Sequence, residues 1–201
     1  MKIKYNAPTV LTFAFICAAV LLLKETLMPS ITREWFAVPG RQGFTPGSIR
    51  SWITLLTHVI GHDSWSHLVS NFSLILLIGP ILEETYGSFP LFVMMCITAL
   101  VTGALNVIFF STGLLGASGV VFMMILLASF TNINHGEIPL TFILVLLLYL
   151  GKELFDSIGG GDAENISQFA HIVGGFIGSL FGFFRRPQNP RRTVDKSPKT
   201  S

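Results

Sequence analysis

The sequence predicts an all-α polytopic membrane protein, a bundle of six transmembrane helices with a long interfacial first loop. Three observations carry that prediction. Mean hydropathy is +0.65, with 51% hydrophobic and only 12% charged residues among 201, a balance unlike that of a soluble domain. No Asp, Glu, Lys or Arg occurs between Glu84 and Glu137, an interval long enough for two crossings at about 20 apolar residues each. The formal charge of +2 is small but concentrated at the ends: Lys2 and Lys4 precede the first apolar run, and Arg185, Arg186, Arg191, Arg192, Lys196 and Lys199 follow the last. An even number of spans puts both termini on one side, and the flanking basic residues favour the cytoplasmic side. The expected location is a bacterial inner (cell) membrane. Residues 1–186 form one transmembrane domain, and 187–201, rich in Pro, Arg, Lys, Ser and Thr, a disordered basic cytoplasmic tail.

The first span runs from about Tyr5 to Leu23. Lys2 and Lys4 resemble the n-region of a signal peptide, but the apolar run is long for an h-region and no small-residue cleavage site follows, which favours an uncleaved helix. From Lys24 to about Thr57, Trp35, Phe36, Phe44 and Trp52 lie among Pro29, Pro39, Gly40, Gly43, Pro46 and Gly47. Such aromatics gather at membrane interfaces, whereas proline and glycine oppose a spanning helix. A loop resting in the outer leaflet and an ordinary solvated loop both fit. The second span is Ser66–Leu82, the third Phe89–Phe110, the fourth Leu115–Phe130, the fifth Ile138–Phe155 and the sixth Ile166–Phe184. Cys17 and Cys96 lie in apolar runs and read as buried thiols rather than a disulfide. The uninterrupted apolar run of the fifth span, Ile138–Gly151, is short, and Gly151 and Gly159–Gly161 bracket its outer end. It is either a gate that moves or a static helix capped by Lys152, Glu153 and Asp156.

Polar groups at membrane depth cost free energy and are kept mainly where they work or are hydrogen-bonded. Gly116-Ala117-Ser118-Gly119 opens the fourth span, so Ser118 falls in a first helical turn, where free N–H groups and the helix dipole favour an anion. With cytoplasmic termini, the second and sixth spans also start on the outer side. His67 and Asn71, four residues apart and on one face, then share the depth of Ser118 and of His171. Each piece has a plain alternative. A small-Ser-small sequence is commonly a packing contact, His171 adjoins the close-packing pair Gly174 and Gly178, and His67 and Asn71 could be interhelical hydrogen bonders. Their joint occurrence at one depth is harder to explain that way.

These pieces resemble the rhomboid family of intramembrane serine proteases: His67 to Asn71 for its HxxxN helix, Gly116 to Gly119 for its GxSG, and Ala170-His171 through Gly174 to Gly178 for its AHxxGxxxG. The resemblance spans about His58 to Gly182. It implies a rhomboid-like six-helix protease domain in which Ser118 is the nucleophile and His171 the general base and acid. It also implies an oxyanion hole formed by His67, Asn71 and the Ser118 N–H, with Gly116, Gly119, Phe122, Gly174 and Gly178 in support. No metal or other cofactor is implied, and no nucleic acid. The expected partners are single-pass transmembrane substrates, cut near the outer face, and membrane lipid; oligomeric state is left open.

Three positions depart from the family pattern. Arg50-Ser51-Trp52 has the residue types of a Trp-Arg pair in another order, Glu83-Glu84-Thr85 keeps the glutamate but not the arginine of Glu-x-Arg, and Phe122 stands where a tyrosine is frequent. His62, Asp63, Ser64 and Ser66 read as a polar entrance. His58 and His62 have metal-ligand spacing, yet hydrogen bonding in a hydrated cleft suits them better because no acidic partner is placed to complete a site. A zinc protease would need HExxH, which His62-Asp63 does not supply. Gly159-Gly160-Gly161-Asp162 has the letters of an aspartyl-protease motif but lies in a polar loop without a partner. The alternative within the same scaffold is a rhomboid-like pseudoprotease that binds and routes membrane clients without cleavage. Such proteins typically lack the serine or the histidine, and both are present here.

Overall fold

The structure, a computed structural model, describes residues 5–131, 140, 143, 144, 147 and 162–184. Seven helices appear among these residues: α1 (Pro8–Thr26), α2 (Ile31–Trp35), α3 (Ile49–Thr57), α4 (Trp65–Tyr86), α5 (Ser88–Phe109), α6 (Ser118–Thr131) and α7 (Asp162–Phe184). Helices α1, α4 and α5 are long and apolar enough to cross a membrane, and the apolar stretches of α6 and α7 are shorter. Together they make a multi-pass membrane helical bundle. The expected fifth span, apart from the helical positions Leu140, Ile143, Leu144 and Leu147, lies outside the described residues. So do the candidate gate at its outer end and the tail 187–201.

The centre of the bundle is α6. Every residue from Val120 to Leu127 is buried, as expected of a helix that is apolar all round. Its 14 described residues run about 21 Å. Around α6 stand α4, α5 and, most intimately, α7. A Cβ on Gly174 would overlap the carbonyl of Gly119, and one on Gly178 that of Met123. The two glycines thus let the backbones of α6 and α7 touch.

Helix α1 packs against α4 and α5, fully burying Val10, Cys17 and Leu21 and partly burying Leu11, Phe13, Ala14 and Ala18, and leaves Phe15, Ile16 and Leu22 exposed for lipid. Its N-terminus is fastened by Glu83. The carboxylate, 4% exposed, accepts from Thr9 N at 2.8 Å and Val10 N at 3.0 Å, meeting orphan donors at the positive end of the helix dipole. That pairing lets α4 run through Glu83 and Glu84 to Tyr86, four residues past the expected Leu82. Gly87, at φ 92, then turns the chain directly into α5. Cys17 and Cys96 are both free thiols.

The connection from α1 to α4 is more regular than the expected loop, because it contains α2 and α3. Helix α3 is amphipathic in an inverted sense: Ser51, Thr54 and Leu55 are buried, while Ile49, Trp52, Ile53 and Leu56 are exposed. In water that face would be costly, whereas at a membrane surface it lies in lipid. The proline- and glycine-rich residues lie between α2 and α3. There Val38 exchanges backbone hydrogen bonds with Leu114 at 2.9 and 3.0 Å, tying this segment to the chain just ahead of Ser118.

Candidate active site

The site begins at the N-terminus of α4. Ser64 is the N-cap, in extended backbone, and its Oγ accepts from His67 N at 3.2 Å, the standard role of serine there. The cap starts the helix at Trp65, so His67 and Asn71 are successive residues on one face. Both side chains reach the turn before α6. A Cβ on Gly116 would lie 2.7 Å from His67 Nε2 and 3.9 Å from Asn71 Nδ2. Gly116 also sits at φ 113, where a side chain is strained. Both constraints require glycine, and its conformation delays α6 to Ser118, three residues after the expected Leu115.

Ser118 is half-buried at the head of α6. In that first turn Val121 N bonds to Ala117 O at 2.9 Å. The N–H groups of the residues before it have no partner within the helix. Behind the turn, Gly116 N donates to His58 O at 3.0 Å, so the segment ahead of Ser118 is held by the end of α3 as well as by Val38.

From the other side, α7 carries half-buried His171. Its ring stacks on Phe122 at a centroid distance of 4.3 Å and an interplanar angle of 5°. Phe122 lies four residues after Ser118 and hence on the same face of α6, so the imidazole lies along the face that bears the serine. The contact of Gly174 with Gly119 fixes the height of α7 at this point. His67 and Asn71 of α4, the Gly116 turn, Ser118, Gly119 and Phe122 of α6, and His171 and Gly174 of α7 are thus gathered in one region, whereas Gly178 lies a turn further along α7, against Met123.

The polar entrance expected at His62, Asp63, Ser64 and Ser66 is only partly such. Asp63 and Ser66 are exposed, and Ser64 and Ser66 share a 3.1 Å hydrogen bond. His62, however, is fully buried. Its Nδ1 lies 3.1 Å from Ile60 O and its Nε2 3.2 Å from Asn71 Nδ2. Proton placement follows from the partners: a carbonyl can only accept, so Nδ1 donates to it, and Nε2 accepts one N–H of Asn71. The other amide N–H remains directed at the Gly116 turn. Burial pushes His62 down to about 4, so the ring is the neutral acceptor this bond needs. His58 is also buried and pushed down to about 4 by burial. Its Nδ1 meets Leu55 O at 3.2 Å and its Nε2 meets Thr102 Oγ1 at 3.4 Å. Both histidines are engaged in hydrogen bonds in the protein interior rather than in a hydrated cleft, and among the described residues no three His, Cys, Asp or Glu side chains are grouped to hold a metal ion. The contact of His62 with Asn71 is a feature that sequence reasoning misses. The spacing His58, His62, His67, Asn71 is plain in the chain, but a histidine between polar neighbours reads as solvent-facing.

A sequence model of the Rhomboid domain matches residues 50–188, most of the chain and all of helices α4 to α7. The chain belongs to the rhomboid family. It is also similar to the rhomboid protease GlpG of Haemophilus influenzae, 26% identical over 131 residues that cover 64% of this chain and 67% of that protein. The three helices that carry the site in this rhomboid, α4, α6 and α7, all fall within the matched residues.

Proposed function

We propose that this rhomboid is an intramembrane serine endopeptidase that cleaves transmembrane segments of single-pass membrane proteins near the outer face of an inner membrane, with both termini cytoplasmic. The observation that carries the reading is the stacking of His171 on Phe122, one turn along α6 from Ser118. It sets the His171 ring against a residue one turn from Ser118, which supports a role as the serine's base. A packing serine has no need of one. The presence of both Ser118 and His171 favours an enzyme over a client-routing pseudoprotease.

In the proposed reaction His171 takes the hydroxyl proton as Ser118 Oγ attacks the scissile carbonyl carbon. The new oxyanion is met by the free N–H of Asn71, by the His67 ring and by the Ser118 N–H. Protonated His171 then gives its proton to the departing amine as the C–N bond breaks. A water molecule, deprotonated by His171, attacks the acyl ester, and His171 returns that proton to Ser118 Oγ as the ester bond breaks and the acid is released. No acidic third member is invoked: the Phe122 face and the α6–α7 contact orient the imidazole. The scissile bond must leave helical geometry to reach Oγ, so preferred substrates have helix-destabilising residues there and a small side chain before the cleaved bond.

The test is cleavage of a model transmembrane substrate by purified protein. Ser118→Ala and His171→Ala are each expected to abolish cleavage while preserving the thermal transition. Retained cleavage by the folded Ser118→Ala variant would refute the assignment.

A further inference from the structure

A cavity of about 600 Å³ lies apart from Ser118, between α2, α3 and the segment after α5. It is lined by Arg33, Glu34, Arg50, Ser51 and Ser111 among others. The ends of α1 and α5 lie on this side, so the cavity is at one membrane surface. Exposed Trp35 and Trp52 flank it, and the outward face of α3 beside it is Ile49, Trp52, Ile53 and Leu56. An indole belt next to an apolar helix face marks the depth of lipid headgroups.

The charges in the cavity are uncommitted. Among the described residues neither Arg33, Arg50 nor Glu34 has an ion pair or a side-chain hydrogen bond, although charged groups elsewhere do, such as Lys24 with Glu25 at 3.2 Å and Glu83 with the start of α1. Two guanidinium forks suit the oxygens of a phosphate, and a carboxylate beside them suits a primary ammonium. We propose that this cavity seats a phosphoethanolamine lipid headgroup, its phosphate diester on Arg33 and Arg50 and its ammonium on Glu34, with the acyl chains lying along the apolar face of α3. A purely anionic headgroup would leave Glu34 facing negative charge. A quaternary ammonium could not donate to it. The site also has a route to the serine: Val38 lines it and pairs with Leu114, two residues before Gly116. An occupied site therefore braces the turn ahead of α6.

The test reads binding and is independent of any protease activity. Full-length purified protein in detergent is offered equimolar phosphatidylethanolamine, phosphatidylglycerol and phosphatidylcholine, and retained lipid is read by native mass spectrometry. Preferential retention of one phosphatidylethanolamine is expected. Arg33→Gln/Arg50→Gln should weaken it about tenfold, equivalent to about 1.4 kcal/mol, and Glu34→Gln should erase the preference over phosphatidylglycerol. The two single arginine variants, each expected to lose part of the retention, serve if the double variant does not fold. Unchanged retention in the arginine variants, or equal retention of the three lipids by the unaltered chain, would overturn the site. Displacement by millimolar glycerophosphoethanolamine would overturn the lipid as its occupant.

Discussion

At the scale of single residues, Asn71 and His62 form one unit. Asn71 has two amide N–H donors and His62 Nε2 holds one of them at 3.2 Å, which fixes the direction of the other. Asn71→Ala is expected to lower kcat by about 10²–10³ with little change in KM, the cost of an oxyanion donor. His62→Ala, by freeing the amide to rotate, should also lower kcat with KM kept, by a smaller factor, and His62→Gln should recover part of it. A loss confined to KM in steady-state kinetics would instead place Asn71 in substrate binding. The buried histidines also set a pH dependence. His58 and His62 are both pushed from 6.5 to about 4 in the folded state, so between those values the unfolded chain binds more protons. Stability is therefore fully present above about pH 6.5 and is lost as pH falls towards about 4. Thermal unfolding followed from pH 7 to 4.5 should show that decline, and His58→Gln and His62→Gln should each flatten it.

At the scale of elements, the α6–α7 contact and the fastening of α1 carry separate predictions. Gly174→Ala would push a methyl into the Gly119 carbonyl; overpacking of that kind costs about 1–3 kcal/mol, and here it also moves His171. The variant should lose activity out of proportion to its fall in Tm. Glu83→Gln leaves only one strong acceptor for the two N–H groups of Thr9 and Val10, and an unmet buried donor costs about 1–3 kcal/mol. That variant should lose stability yet retain cleavage at low temperature, since Glu83 is at the opposite end of α4 from Asn71. The spans around these contacts are legible in the sequence to within a few residues, because apolar length and terminal charge dominate in a membrane. Where they shift, local chemistry is responsible: the paired Glu83 extends α4, and φ 113 at Gly116 postpones α6. Helix α3 reads as loop for a different reason. Its apolar side faces outward and its serine and threonine inward, the reverse of the pattern of a soluble helix, and the prolines and glycines just ahead of it mask its own regular residues.

At the scale of the whole molecule, a helix buried from Val120 to Leu127 forms the centre of the bundle and carries Ser118 at its first turn. In the proposed reading three different helices around it each bring one kind of chemistry: donors from α4, the nucleophile from α6 and a base from α7. The residue types and their shared depth are legible in the chain. That His62 stands behind Asn71, and that α7 meets α6 through Gly174 and Gly119, are not, because those contacts depend on how helices pack. The central claim is that Ser118 is an activated nucleophile rather than a packing residue. It is tested most directly by labelling the full-length protein in native membranes with a fluorophosphonate serine probe, comparing it with Ser118→Ala and His171→Ala. The expected result is labelling of the unaltered chain, lost in both variants at equal expression. Equal labelling of the chain and of Ser118→Ala, or labelling that persists without His171, would contradict the Ser118–His171 assignment.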